Sequence, residues 1–211
     1  MIPVVEVYKQ LKKHMPGRIW WPAESKWEII IGSILVQNTN WKNVEYSLHN
    51  LREETQFQPE RVAALSLEEL QEMIRPSGFF VNKSRAIQEI FSWLSIFDFD
   101  LLAIERQHGD ALRKQLLSLR GIGEETADVL IVYVFDGVEF IADRYAQRLF
   151  TRLGIEDIES YKTLKKRVYL PDNFSTTEAK EFHGLIVDFG KDYLKNDATW
   201  MTSFLSDFKF K

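Results

Sequence analysis

Hydrophobic residues recur along this chain with the period of an α-helix. In the clearest stretch they occupy one helical face, at spacings of three, four, seven and eight residues from the first: Trp27, Ile30, Ile31, Ile34 and Leu35. Similar stripes follow toward the C-terminus, whereas the two-residue alternation typical of strands is almost absent, with 138–142 as a short extended candidate. The pattern predicts an all-α fold of about ten short helices.

Capping signals predict where several of these helices begin. Ser66 with Glu69, and Ser175 with Glu178, have the capping-box spacing, in which each side chain accepts a hydrogen bond from the other residue's backbone N–H. Helices are therefore expected to start one residue after each serine. The segment Pro76-Ser77-Gly78 predicts a break between two helices.

Composition limits the class of protein. The chain has 211 residues, 45% of them hydrophobic and 27% charged, with a formal net charge of −4. These values are typical of a folded globular protein and exclude a mainly disordered chain. The longest apolar run, 29–36, is shorter than the roughly 20 residues of a membrane-spanning helix, and 1–13 lacks a signal-peptide pattern. We therefore expect a cytoplasmic protein with no membrane partner.

Metal and cofactor chemistry finds little support in the sequence. The absence of cysteine excludes disulfides, thiolate zinc sites and cysteine-ligated iron–sulfur clusters. The four histidines are scattered and form no His-x-x-x-His pair. We expect no metal and no cofactor.

The segment 116–130 carries the most information. An apolar helix ends near Leu119, a Gly121-Ile122-Gly123 turn follows, and a second helix begins. Two glycines around one apolar residue allow a tight turn with exposed N–H groups, and the positive end of the second helix adds to their attraction for a phosphate. This pattern predicts a helix-hairpin-helix that binds DNA independently of base sequence. A plain turn between two helices has the same local pattern.

Residues downstream of the hairpin indicate a family. Asp143 stands at an expected helix start, and Arg152-Leu153-Gly154 ends that helix. Together with the hairpin, this spacing resembles the endonuclease III superfamily of helix-hairpin-helix DNA glycosylases. The resemblance implies two helical lobes with a cleft between them, one of residues 25–134 and one of 1–24 plus 135–211. It also implies that Asp143 is the catalytic carboxylate, although aspartate is equally a good helix N-cap.

Two departures from the family pattern affect the expected chemistry. Bifunctional members have a lysine two residues after the second hairpin glycine, and its amine forms a Schiff base with the sugar. This chain has Glu125 there, so no AP-lyase activity is expected. Many members hold an iron–sulfur cluster near the C-terminus, whereas here aromatic residues are expected to order a cluster-less tail: Trp200, Phe204, Phe208 and Phe210.

Aromatic residues point to one branch of the superfamily. The chain resembles the cluster-less 3-methyladenine DNA glycosylases, which implies that Trp20, Trp21, Trp41 and Tyr145 form the base pocket. An N-alkylated purine is cationic, and indole faces attract cations. Large aromatic residues are also common in protein cores.

The same resemblance implies a set of DNA contacts. Gln37 takes the position of a glutamine that reaches toward the gap left by an extruded nucleotide. Phe79, with Phe80 close behind, is the candidate for an apolar wedge that replaces lost stacking. Phosphate contacts are expected from Lys83 and from the hairpin residues Gly121, Ile122, Gly123 and Thr126.

These residues predict a monofunctional DNA glycosylase of base excision repair that hydrolyses the N-glycosidic bond of an alkylated purine. Its partner is double-stranded DNA containing a damaged base, and a bacterial, monomeric protein is expected. Two alternatives stay open. One is a glycosylase for an oxidised pyrimidine or mismatched base, and the other is a non-catalytic helix-hairpin-helix protein that binds DNA.

Overall fold

The computed structural model describes residues 2–16, 21, 23–208 and 210. Within these ranges the chain is mostly helical, which confirms the predicted fold class, and none of the helices is long and apolar enough to span a membrane. The described part contains thirteen α-helices: α1 (Val5–His14), α2 (Lys26–Leu35), α3 (Trp41–Thr55), α4 (Pro59–Ala64), α5 (Leu67–Ile74), α6 (Phe80–Ser95), α7 (Leu101–His108), α8 (Leu112–Ser118), α9 (Glu124–Tyr133), α10 (Arg144–Arg152), α11 (Tyr161–Lys165), α12 (Thr176–Tyr193) and α13 (Asp197–Met201). Two strands, β1 (Ile2–Pro3) and β2 (Val168–Tyr169), pair in parallel, with Ile2 opposite Val168.

The predicted helix starts are confirmed. Ser66 and Glu69 form a capping box at the start of α5, and Ser175 and Glu178 form one at the start of α12. The predicted break contains a 3₁₀ turn, Arg75–Ser77, followed by a glycine with a positive φ. The extended segment 138–142 is not a strand, since the small sheet is built from the two short strands instead.

The chain divides into two compact units. Residues 23–135 form one unit, called here the hairpin unit because it contains α8 and α9. Residues 1–22 and 136–211 form the other, called the terminal unit because it contains both ends of the chain.

The hairpin unit has its core around α2. Four of the five residues predicted on the apolar face of this helix are buried, with Ile31 and Ile34 fully inaccessible, and Trp27 is half-buried. Helix α2 packs against α3, α6 and α9. A partly buried ion pair joins the two helices of the hairpin, because Arg113 Nε on α8 lies 2.7 Å from the buried Asp128 Oδ1 on α9. These contacts fix the hairpin to the apolar core of its own unit.

The terminal unit is arranged around α12. Helix α1 packs on it, with Lys12 Nζ 2.7 Å from Glu181 Oε2 and the Tyr8 ring against Phe182. Helix α10 packs on another part of α12. Beyond α12, the rings of Trp200 and Phe204 both contact Phe189 on α12, so two of the four aromatic residues expected to order the tail pack against this helix.

Candidate active site and nucleic-acid interface

The Gly-x-Gly turn between α8 and α9 is built from two glycines with different constraints. Gly121 has a φ of +79°, and a Cβ atom added there would lie 2.5 Å from the Ala86 Cβ atom on α6. Gly123 is the N-cap of α9, has an ordinary negative φ, and has open space where a Cβ atom would stand. No side chain caps the first turn of α9 at Gly123. The turn can therefore present backbone N–H groups to an anion on its Gly123 side.

Two hairpin residues lie deeper than the sequence predicted. Ile122 packs its side chain into the core, and its N–H donates to the Leu119 carbonyl at 3.2 Å. Thr126 is buried, and its hydroxyl accepts a hydrogen bond from Gln37. The Ile122 side chain packs into the apolar core, and the Thr126 hydroxyl is the hydrogen-bond partner of Gln37. Neither side chain is therefore placed to contact DNA directly.

Gln37 follows the end of α2 and lies against the hairpin. Its Nε2 atom donates to the Gly121 carbonyl at 3.3 Å and to the Thr126 hydroxyl at 3.0 Å. The side chain is half-buried. Gln37 therefore belongs to the same local structure as the Gly-x-Gly turn, which sequence distance alone did not indicate.

Phe79 is the most exposed ring among the candidate DNA contacts. It is 65% exposed and occupies the N-cap position of α6 in the left-handed region, with a φ of 49°. Phe80 instead packs partly against the core, and the Arg75 guanidinium lies over its ring. Of the two candidate wedge residues, Phe79 is therefore the exposed one and Phe80 is partly buried.

The turn before Phe79 is held by a buried lysine. Lys83 is 3% exposed, and its Nζ atom donates to the carbonyls of Ser77 at 2.7 Å and Leu35 at 2.8 Å. The predicted phosphate contact of Lys83 is therefore wrong. A side chain this deep cannot reach a strand of DNA, and its hydrogen bonds instead connect the end of α2 with the Phe79 turn.

Burial also changes the acid–base behaviour of Lys83. Desolvation lowers its pKa from the ordinary 10.5 to about 8. Between these values the unfolded chain binds a proton that the folded chain lacks, so the stability of the fold rises with pH. Relative to Lys83→Met, the wild-type free energy of unfolding should increase by about 1–3 kcal/mol from pH 8 to pH 10.5.

Denaturant unfolding of the two proteins across this pH range measures the difference. Lys42→Met is the matched control, because Lys42 is exposed on α3. Parallel pH profiles for wild type and Lys83→Met would show that the ammonium group is not desolvated in the folded chain.

Asp143 caps α10 in the terminal unit, as the sequence predicted. Its Oδ1 atom accepts a hydrogen bond from the Ala146 N–H at 2.8 Å, and the residue is 8% exposed. A negatively charged side chain at a helix N-terminus interacts favourably with the helix dipole. The second oxygen, Oδ2, lies 3.6 Å from Nε2 of His183, which is also buried.

His183 was not predicted from the sequence. It lies inside α12, forty residues after Asp143, and no motif or spacing marks it. A pairing of the catalytic candidate with a residue on another helix appears only once the terminal unit is folded.

The four predicted base-pocket residues are placed differently. Trp20 lies outside the described residues. Trp21 is half-buried with a φ of 66°, and Trp41 is the first residue of α3 and 40% exposed. Tyr145 is half-buried, and its ring lies directly on Gly190 of α12, where a Cβ atom would be 2.3 Å from its Cδ1 atom. Packing against α12 is thus one established role of Tyr145.

In the described residues, no group of three or more histidine, cysteine or acidic side chains could hold a metal ion. The arrangement instead offers two kinds of chemistry. The hairpin unit brings Gln37, Phe79 and the Gly123 side of the hairpin into one connected structure. The terminal unit supplies a buried, oriented carboxylate at Asp143. Backbone N–H groups suit a phosphate, and a fixed carboxylate suits a reaction in which positive charge develops.

Comparison with known proteins extends over most of the chain. A family model described as HhH-GPD superfamily base excision DNA repair protein matches residues 31–170. A Methanocaldococcus jannaschii protein assigned as a DNA repair glycosylase is 32% identical over 200 residues, covering 92% of this chain and 90% of that protein. Endonuclease III of Sulfolobus acidocaldarius is 26% identical over 194 residues, covering 90% of this chain and 84% of that protein.

Two solved structures resemble the fold. The H. pylori 3-methyladenine DNA glycosylase bound to 1,N6-ethenoadenine matches with a TM-score of 0.73 and 28% identity, covering 92% of this chain and 100% of that one. A non-covalent complex of endonuclease III with DNA matches with a TM-score of 0.69 at 23% identity, covering 92% of this chain and 87% of that one.

Proposed function

This chain belongs to the HhH-GPD superfamily of base excision DNA repair proteins, and from that premise we propose that it is a monofunctional DNA glycosylase for an alkylated purine of the 3-methyladenine type. The observation that carries the proposal is the buried carboxylate of Asp143, held at the start of α10. Its substrate is a damaged base in double-stranded DNA.

Asp143 supplies the chemistry that this reaction needs. Breaking an N-glycosidic bond gives the sugar oxocarbenium character in the transition state. A fixed carboxylate stabilises that charge and positions or deprotonates the attacking water. Its orientation is set in advance by the hydrogen bond from Ala146, so little reorganisation is needed during the reaction.

An alkylated purine fits a site with one carboxylate. The base carries a positive charge before cleavage and leaves as a neutral molecule, so no general acid is required. Exposed or half-buried indole rings suit this substrate because their faces attract cations. Trp21 and Trp41 are two such rings among the described residues, and we retain Trp20 and Tyr145 as further candidates. The likeness to the H. pylori 3-methyladenine DNA glycosylase supports the same substrate class.

Glu125 supports a reaction that stops at base release. It stands in the first turn of α9, two residues after Gly123. Bifunctional members of the superfamily have a lysine at this position. A carboxylate cannot form an imine with the sugar. We therefore propose that the abasic strand is left intact.

DNA binding is proposed for the hairpin unit. The backbone around Gly123 holds a phosphate, and Phe79 enters the base stack in place of the extruded nucleotide. Gln37, tied to the hairpin by its amide group, faces the same partner. Glu124 and Glu125 repel phosphate, so the backbone N–H groups carry most of the attraction.

The substrate class is tested by chromatography of bases released from methylated duplex DNA, with strand nicking followed in parallel. We expect the purified protein to release 3-methyladenine or 7-methylguanine, and to produce nicks only after alkali is added. Nicking without alkali would contradict the monofunctional assignment.

The relatives named endonuclease III favour a second candidate, a glycosylase for an oxidised or mismatched base. Release from oxidised or mismatched duplexes, with none from methylated DNA, would establish that activity. Binding to all these duplexes without base release would instead identify a non-catalytic DNA-binding protein.

A further inference from the structure

The catalytic carboxylate proposed above has contacts on both of its oxygens. Oδ1 accepts the hydrogen bond from Ala146 within α10, and Oδ2 faces Nε2 of His183 on α12 at 3.6 Å. Both Asp143 and His183 are buried, with 8% and 6% of their surface exposed. A buried imidazole beside a buried carboxylate is a polar contact in a weakly solvated place, where such contacts are strongest.

Helix α12 approaches the start of α10 closely at two points on one face. His183 and Gly190 are seven residues apart, which is two helical turns, so they share that face. Gly190 lies so near the Tyr145 ring that a Cβ atom would be 2.3 Å from Cδ1. Because Tyr145 is two residues after Asp143, this contact holds α10 against α12 and keeps the Asp143 carboxylate beside the imidazole.

The cap hydrogen bond alone leaves the carboxylate one degree of freedom. The final torsion of an aspartate side chain is broad, so a carboxylate held by one oxygen can still turn about its Cβ–Cγ bond. A donor on the second oxygen removes that freedom. The Nε2–Oδ2 separation exceeds the usual limit of about 3.2 Å for an N–H···O hydrogen bond, and catalytic hydrogen bonds commonly shorten when the substrate binds.

We propose that His183 is a positioning residue for Asp143, donating from Nε2 to Oδ2 and thereby fixing the plane of the carboxylate toward the sugar and the attacking water. This inference rests on the proposed glycosylase function. An imidazole that carries a proton on Nε2 donates this hydrogen bond whether the ring is neutral or charged. A misplacement of about 1 Å in a reacting group can cost a factor of about 100 in rate.

The test compares two substitutions of the same residue. His183→Gln places an amide donor near the position of Nε2, whereas His183→Leu fills the space without a donor. His49→Leu is the control, because His49 is exposed on α3. Two quantities are measured for each protein. The first is the single-turnover rate of release of the base that the wild type excises. The second is the affinity for a duplex whose damaged nucleotide carries a 2′-fluorine, which blocks release.

We expect His183→Leu to lower the single-turnover rate by at least about tenfold while the dissociation constant changes less than about twofold. His183→Gln should recover most of the lost rate. Equal rates for His183→Leu and the wild type would overturn the role of His183 and leave the glycosylase assignment intact. Equal losses of rate and affinity in both variants would also overturn it, since they indicate a general packing defect.

A spectroscopic measurement tests the contact without relying on how well the two His183 variants fold. With only four histidines in the chain, the ¹⁵N signals of the imidazole rings can be resolved and assigned. Asp143→Asn should shift the His183 Nε2 signal and leave those of the other rings in place. An unchanged signal would overturn the contact itself. Absence of base release by the wild type from every substrate is a different outcome, and it overturns the proposed function together with this inference.

Discussion

Replacing Asp143 with asparagine should lower the single-turnover rate of base release at least about a hundredfold and leave DNA binding nearly unchanged. Asparagine is as good an N-cap as aspartate, so its amide oxygen can still accept the hydrogen bond from Ala146. The substitution therefore removes the negative charge without removing the start of α10. Single-turnover assays and binding to an uncleavable duplex measure the two effects separately.

The chain provides a matched control for this substitution. Asp100 caps α7 through hydrogen bonds from Leu102 and Ala103, and it has no proposed role in catalysis. Asp100→Asn makes the same chemical change at another helix start and should leave base release at the wild-type rate. Unchanged release by Asp143→Asn would remove Asp143 from the mechanism.

Replacing each hairpin glycine with alanine should have a different effect, a loss of stability at Gly121 and a loss of DNA affinity at Gly123. Gly121→Ala forces a side chain into the left-handed region and places its Cβ atom 2.5 Å from the Ala86 Cβ atom, so the free energy of unfolding should fall by about 2–4 kcal/mol. Gly123→Ala meets neither obstacle and should cost less than about 1 kcal/mol of stability. Its methyl group instead stands where a phosphate would approach, and DNA affinity should drop about tenfold, or about 1.4 kcal/mol.

Denaturant unfolding and anisotropy titration with a duplex separate the two effects. Each glycine variant serves as the control for the other, since one reports on the fold and the second on the ligand. Wild-type affinity in Gly123→Ala would contradict a phosphate site at this side of the turn. A large loss of stability in that variant would show that its glycine is needed by the fold.

Local signals in the sequence predicted the parts of the structure that depend on neighbouring residues. The apolar stripe of α2, the capping box at Ser66 and the N-cap role of Asp143 each rest on contacts within a few positions. Gly154, the last residue of the segment predicted to end α10, has a φ of +90°, and its N–H donates to the Thr151 carbonyl. Such contacts follow from the period and chemistry of one helix.

Features that depend on distant residues were missed. Lys83 was expected at the surface, and only the folded unit shows that two carbonyl groups from separate turns draw its ammonium inward. His183 meets Asp143 across two helices. The pairing of β1 with β2 involves two residues from each strand, too few for an alternating pattern to appear in the sequence.

The terminal unit is assembled from both ends of the chain, and this affects its folding during synthesis. Helix α1 emerges from the ribosome about 160 residues before α12, the helix against which it packs. At roughly 5–20 residues per second, α1 waits on the order of 8–32 seconds for that partner. The hairpin unit is continuous in sequence and is complete before α12 is made. The nascent chain therefore carries one amphipathic helix without its partner for that interval, which makes α1 a segment that molecular chaperones are expected to meet.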